Sequence, residues 1–267
     1  MRTTSEAGQA MPSGETTHGV YVYGIVPADV AVTDTAKGVG EPPAKVRLVR
    51  YQEIAALASE VDVSQPLGRP EDLLAHEQLL DGAAKAAPVL PFRFGAVLQT
   101  EQAVEEELLA PYHDEFAAQL AEFEGRAQFV AKGRYRETAI LREVLAENDS
   151  AAQLREQLAG RPVDDPATRD LQIQLGEIIN AAIDEKRTAD TRRLGDVVAP
   201  YCVASNVREP SHELDAAHVA LLVSSDRVAD LERALSELAE EWADRVELGL
   251  LGPMAAYDFV SARTPGG

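Results

Sequence analysis

Apolar positions recur along this chain at two periods, and the switches between them mark the elements. Residues 20–26, Val20-Tyr21-Val22-Tyr23-Gly24-Ile25-Val26, alternate β-formers and stop at Pro27, which predicts a strand. Residues 45–51 alternate charge with Val46, Leu48 and Val49, and residues 54–61 follow after Gln52-Glu53, so the two are expected to pair as a hairpin. Pro70-Glu71-Asp72 opens a helix, because proline suits the first turn and the acids complement the dipole. Leu73, His76, Leu80 and Ala83 or Ala84 then mark one face at helical spacing. Thr100 is placed to cap the next helix, striped by Val104, Leu108, Tyr112, Phe116, Leu120 and Phe123. Pro111 inside that stripe predicts a kink or a break.

In the second half, residues 128–136 read as a strand with Phe129 and Ala131 opposite Lys132 and Arg134. Residues 137–147 and 151–159 read as helices, the latter closed by Gly160. A long helix starts at Asp165-Pro166 and runs toward Val198, with Leu171, Leu175, Ile178, Ala182 and Ile183 as its stripe. Strands are expected at 201–207, 217–223 and 246–251. A helix striped by Val228, Leu231, Leu235, Leu238 and Trp242 separates the last two, and residues 257–260 are expected to extend a sheet edge.

These periods define an α+β chain. The N-terminal domain, residues 18–122, is a small mixed β-sheet with helices and a trailing helix. The C-terminal domain, residues 123–262, has the β-α-β-β-α-β order of a modified ferredoxin-like sheet, with a helical insertion at about 150–200. Residues 1–18 have no periodicity and read as a disordered tail.

The stretch between the two predicted N-terminal helices is Pro88-Val89-Leu90-Pro91-Phe92-Arg93-Phe94-Gly95-Ala96-Val97-Leu98. Two prolines forbid a helix, so it reads as a buried extended segment in which Gly95 permits a bend. Arg93 is its only charge. If buried, that guanidinium needs acceptors, because a lone buried charge is costly. Glu77, beside His76 on the preceding helix, is the candidate partner. His76 and Arg93 are the two polar residues that stand out, within a structural network.

Composition narrows the class. With 25 basic against 45 acidic residues the formal net charge is -20. That disfavours nucleic acid, which needs clustered Lys and Arg, and anionic membrane surfaces. The single cysteine, Cys202, excludes an internal disulfide framework and a multi-cysteine zinc site. No apolar run approaches the roughly 20 residues of a membrane helix, and the N-terminus lacks a signal peptide's apolar core. A cytoplasmic setting is expected.

Catalytic signatures are missing. The sequence contains neither G-x-G-x-x-G nor G-x-x-x-x-G-K-[ST], no H-E-x-x-H and no G-x-S-x-G. His113-Asp114-Glu115 point in different directions on a helix and cannot chelate as a unit, and His212-Glu213 with His218 read as solvated loop groups. Cys202 reads as a small apolar residue beside Tyr201, not a nucleophile. No cofactor and no metal is expected.

Residues 20–26, the His76-Glu77 helix and the 88–98 stretch together resemble the N-terminal half of the gas vesicle GvpF/GvpL family. Val203-Ala204-Ser205-Asn206-Val207, His218-Val219-Ala220-Leu221-Leu222-Val223 and Leu251-Gly252-Pro253-Met254-Ala255-Ala256-Tyr257-Asp258-Phe259-Val260 resemble that family's closing segment. There the family usually carries Gly-Pro-Trp-Pro-Pro-Tyr-x-Phe. Met254, Ala255 and Ala256 stand in place of Trp-Pro-Pro, which weakens any specific role for an aromatic at that point. The resemblance implies a non-enzymatic accessory or minor structural protein of gas vesicle formation. Its implied partners are the hydrophobic shell protein GvpA and other accessory proteins. It directs attention to His76, Glu77, Phe92, Arg93, Phe94, Gly95, Val97 and Leu98 as structural or interaction residues. The rival reading is an enzyme or small-molecule-binding protein on a ferredoxin-like domain, which would need a pocket with converging polar groups.

Overall fold

The computed structural model of the chain describes residues 18–33, 36–162 and 165–260. The tail expected before His18 lies outside them. Two antiparallel sheets and seven α-helices are formed among the described residues, an α+β fold. The chain divides into two compact units. Among the described residues, one draws on residues 18–79 and Phe92–Asp114, the other on Leu80–Pro91 and residues 115–260.

The first unit is built on β1 (His18–Pro27), β2 (Arg47–Tyr51) and β3 (Ile54–Asp62). β1 pairs antiparallel with β3, and β3 with β2 through the expected hairpin, with Gln52 at positive φ in its turn. β1 is central and buried on both faces: Tyr21, Val22, Tyr23, Ile25 and Val26 have no exposed surface. Buried on both sides, it reads as a continuous apolar run with two tyrosines in it.

Helix α1 (Pro70–Ala84) starts where the proline predicts. Its buried face is Asp72, His76 and Leu80: the expected His76 and Leu80 point inward, whereas Leu73 is 44% exposed. A polar residue, Asp72, takes the inward place that apolar periodicity assigned to Leu73. Leu90–Pro91 (β4) and Val97–Leu98 (β5) are two-residue strands, and β5 pairs with β1 through Val20 and Tyr21. Thr100 caps α2 (Glu101–Ala103) by accepting from the Ala103 N–H at 3.0 Å. That helix widens into a π-helical stretch over Val104–Leu109, then breaks at Pro111 before α3 (His113–Phe123). The break is the one predicted, and Val104, Leu108, Phe116, Leu120 and Phe123 are all buried.

The second unit carries β6 (Arg126–Tyr135), β7 (Ala204–Val207), β8 (Asp215–Ser224) and β9 (Val246–Met254) in the order β7-β8-β6-β9. Helices α4 (Glu137–Glu147), α5 (Asp149–Leu158) and the 33-residue α6 (Pro166–Val198) lie between β6 and β7, and α7 (Val228–Glu241) between β8 and β9. This is the β-α-β-β-α-β connectivity read from the sequence, with α5 and α6 as the insertion. The core lies between sheet and helices: Phe129, Ala131 and Tyr135 of β6 meet Val219, Leu221 and Val223 of β8 and Leu231, Leu235, Leu238 and Trp242. Tyr135 donates to Asp190 of α6 at 2.5 Å, Arg245 spans Asp190 and Glu143, and Lys186 joins Glu143 to Glu147. Residues 257–260 form a turn and not the expected sheet edge, because Asp258 is held by Arg208 and Gln128. Ala255 and Ala256 are buried beside it.

Candidate functional site

The sequence-predicted residues converge on one place in the first unit. Tyr21 and Tyr23 stand two apart on β1, so both rings leave the same face and meet, tilted by 53°, at 4.8 Å between centroids. His76 of α1 packs on both, at 5.7 and 5.6 Å, and Phe94 covers Tyr21 and His76 at 5.6 Å each.

Hydrogen bonds fix the chemistry of this cluster. His76 Nε2 lies 3.1 Å from the carbonyl oxygen of Phe92, which can only accept, so Nε2 carries the proton. Nδ1 is then the acceptor, and it takes the Tyr21 hydroxyl proton at 2.9 Å. The Tyr21 oxygen in turn accepts from the Gly95 N–H at 3.0 Å. The Phe92 N–H donates to the Tyr23 carbonyl at 2.8 Å. The turn from Phe92 to Gly95 is thus gripped at both ends by two buried side chains, with Gly95 at a φ of 99° that favours glycine. Burial holds the His76 imidazole below its usual pKa and pushes Tyr21 well above the ordinary phenol range.

Tyr23 makes the second half. Its hydroxyl bonds Ser59 Oγ at 2.8 Å and accepts from the Val39 N–H at 2.8 Å. A side chain at Gly38 would sit 2.3 Å from that hydroxyl, so only glycine lets the 36–44 loop pass. Asp72, its side chain 2% exposed, accepts from the Gly40 N–H at 2.9 Å and from the Arg69 N–H at 3.1 Å. The Arg69 guanidinium and those backbone donors hold its carboxyl down at about 2.

Of the eight candidate residues, His76, Phe92, Phe94 and Gly95 are brought into contact. His76 and Phe92 are buried, at 3% and 5% exposure, and Phe94 is half-buried. Leu98 is half-buried and Val97 is 38% exposed. Arg93 does not behave as expected. It is exposed, as is Glu77, and no ion pair joins them among the described residues. Arg93 lies on the side opposite buried Phe92 and half-buried Phe94, as alternation places it, and that side is open to water, so no buried acceptor is needed.

The sequence reading passed over Tyr21, Tyr23, Ser59 and Asp72. A signal was present: a buried tyrosine hydroxyl needs a partner, and two tyrosines inside an apolar strand imply two partners elsewhere. His113, 13% exposed at its side chain, pairs with Asp114 at 2.9 Å and Glu53 at 3.0 Å, which raise its pKa. His212 and His218 do serve loop backbone, through the Leu214 N–H and the Glu209 carbonyl. Cys202 is half-buried, and burial pushes its thiol up, away from thiolate chemistry. Among the described residues no group of three or more His, Cys, Asp or Glu is placed to hold a metal. A hollow of about 470 Å³ in this unit is lined by charged side chains that pair with one another, Arg69 with Asp72 and Glu41 and Arg47 with Glu60.

Tyr21, His76 and Phe94 gather around the turn of residues 92–95, part of the stretch on which the resemblance rests. A family profile, described as gas vesicle synthesis protein GvpL/GvpF, matches residues 19–261. The chain belongs to that family. Gas vesicle protein F of Streptomyces sp. (strain CB03234) is 30% identical over 90% of this chain and 98% of its own length. Gas vesicle protein F of Dolichospermum flosaquae is 22% identical over 90% of this chain and 96% of its own. The crystal structure of GvpF from Anabaena sp. PCC7120 superposes with a TM-score of 0.72 at 21% identity, covering 92% of this chain and 99% of that one. GvpF from Microcystis aeruginosa superposes at 0.69, with 20% identity over 90% of this chain and 98% of that one. This GvpL/GvpF member has a role in gas vesicle formation. No helix among its described residues is long and apolar enough to cross a membrane.

Proposed function

We propose that this GvpL/GvpF member binds the hydrophobic gas vesicle shell protein GvpA through its first unit and assists vesicle assembly. One observation carries the reading: apolar side chains stay at the surface beside the clamped turn. Val97 is 38% and Val63 42% exposed, and both meet over Gly19, where a side chain would lie 2.7 Å from Val97 and 2.9 Å from Val63. Phe94 and Leu98, both half-buried, flank Val97 along the chain. A rigid turn presenting valines costs little ordering on binding, which favours a real interface over loose apolar contact. The charge of -20 suits the same task, since repulsion keeps complexes with an aggregation-prone client dispersed.

The test is co-purification of the full chain with tagged GvpA. The double variant Val63→Glu and Val97→Glu changes only exposed positions and should lose most retention while keeping the thermal midpoint. Undiminished retention would refute the assignment to this patch, and no retention of the unsubstituted chain would refute GvpA binding.

A further inference from the structure

The second unit carries an unpaired sheet edge with a groove beside it. Strand β9 has β6 on one side and no strand on the other among the described residues. Its hydrogen-bonding phase can be read off. The Arg136 N–H donates to the Arg245 carbonyl at 2.9 Å, and the register pairs Arg134 with Glu247 and Lys132 with Gly249. Antiparallel residues bond in alternation, so Glu247 and Gly249 turn their backbone groups to β6. Leu248 and Leu250 therefore turn their N–H and C=O outward. Such an edge is a template for another strand unless it is blocked. Leu248 and Leu250 on its open positions are neither proline nor lysine, and Pro253 with the bulge opposite Gln128 and Val130 closes only the strand's far end.

The groove lies between this edge and α7. It holds about 370 Å³ and is lined by Leu235, Ser236 and Ala239 of the helix and Leu248, Gly249 and Leu250 of the strand. Glu232 stands on its rim, exposed, with no cation paired to its carboxylate among the described residues. Gly249 adds a separate observation. A Cβ there would meet nothing within 4 Å, and its φ is not in the left-handed range. Neither packing nor backbone conformation calls for glycine, which weakens a strand and often marks the close approach of another backbone.

We infer that the β9 edge and the α7 groove receive an extended segment of a partner protein by strand addition. The segment has apolar residues at alternate positions, whose side chains enter the groove, and a lysine or arginine that meets Glu232. Main-chain bonds to Leu248 and Leu250 supply affinity, and the groove and Glu232 supply choice.

The probe is a random library of ten-residue peptides selected on the full-length chain. Enriched peptides should alternate apolar with polar residues and carry Lys or Arg. The best of them should slow hydrogen exchange at the Leu248 and Leu250 amides. Leu248→Pro removes one outward donor and leaves the bonds to β6, so it should weaken that peptide about tenfold. Glu232→Lys, a surface change, should turn the selected charge from basic to acidic and keeps the test valid if the proline variant fails to fold. No enrichment, enrichment indifferent to Glu232→Lys, or unchanged exchange at both amides would overturn the proposal. Concentration-dependent protection of those amides in the peptide-free chain would overturn it in favour of a second copy as the occupant.

Discussion

His76 is the residue on which the first unit's acid sensitivity should turn. In the fold it is neutral, with Nε2–H given to the Phe92 carbonyl and Nδ1 accepting from Tyr21. A second proton on Nδ1 would face the proton of the Tyr21 hydroxyl, and burial already disfavours the charge. The folded pKa therefore lies below the ordinary value near 6.5. Its stabilising contribution is complete above that value and is lost as pH falls from there through the folded pKa. His113 has the opposite sign: its pKa is raised, so its contribution is present below about 6.5 and fades as pH rises through the folded value. Urea midpoints at pH 7 and pH 5.5 should drop in the native chain and drop less in His76→Gln, even though that variant starts weaker. An equal drop in both would remove His76 as the cause. Arg93 teaches the converse. Alternation puts Arg93 opposite Phe92 and Phe94, but it cannot tell that this face of the stretch is open to water rather than covered.

At the scale of elements, most of the fold was legible. Strands β1, β3, β6, β8 and β9, the break at Pro111 and the long helix after Asp165-Pro166 all follow from period, proline and caps. What escaped depends on polar groups that periodicity treats as surface. Asp72 sits at the third position of α1 and reaches back to the Arg69 N–H, the return half of a capping box. Its other oxygen holds the Gly40 N–H, which ties the helix start to the 36–44 loop. Two leucines, Leu73 and Leu74, remain outside as a result, at 44% and 54% exposure. Asp72→Ala would leave the Gly40 N–H without its acceptor and unpair Arg69, and should cost about 2–4 kcal/mol by chemical denaturation. Glu71→Ala, an exposed neighbour, should stay within about 0.5 kcal/mol. If the two substitutions cost the same, Asp72 is an ordinary first-turn acid and not a tie. The candidate site was half legible in the same way: the sequence names the turn and His76, but Tyr21, which completes the clamp, sits 55 and 74 residues away from its partners His76 and Gly95, beyond the reach of local pattern.

For the whole molecule the deciding quantity is charge. With 45 acids and 25 bases the chain repels itself at neutral pH. Against this stand its ion pairs, such as Arg245 with Glu143 at 2.6 Å and Arg193 with Glu241 at 3.1 Å. Salt acts on the two differently. At about 0.1 M the screening length is roughly 10 Å, so repulsion between distant exposed acids is largely removed. Paired groups in contact lose less, and exposed pairs are worth at most about 1 kcal/mol to begin with. Glu143, Lys186 and Arg245 are also half-buried, which shields them further. Screening should therefore stabilise on balance. The thermal midpoint at pH 7 is expected to rise between about 0.01 M and 0.3 M sodium chloride, most steeply at the low end where the screening length shortens fastest. The Arg245→Met variant, which breaks the half-buried network, should start lower yet rise by a similar amount, because its loss is local and the relieved repulsion is not. A midpoint that falls with salt would mean that pairing outweighs repulsion, and it would withdraw the argument that excess acid, rather than any particular acid, governs how this protein behaves in solution.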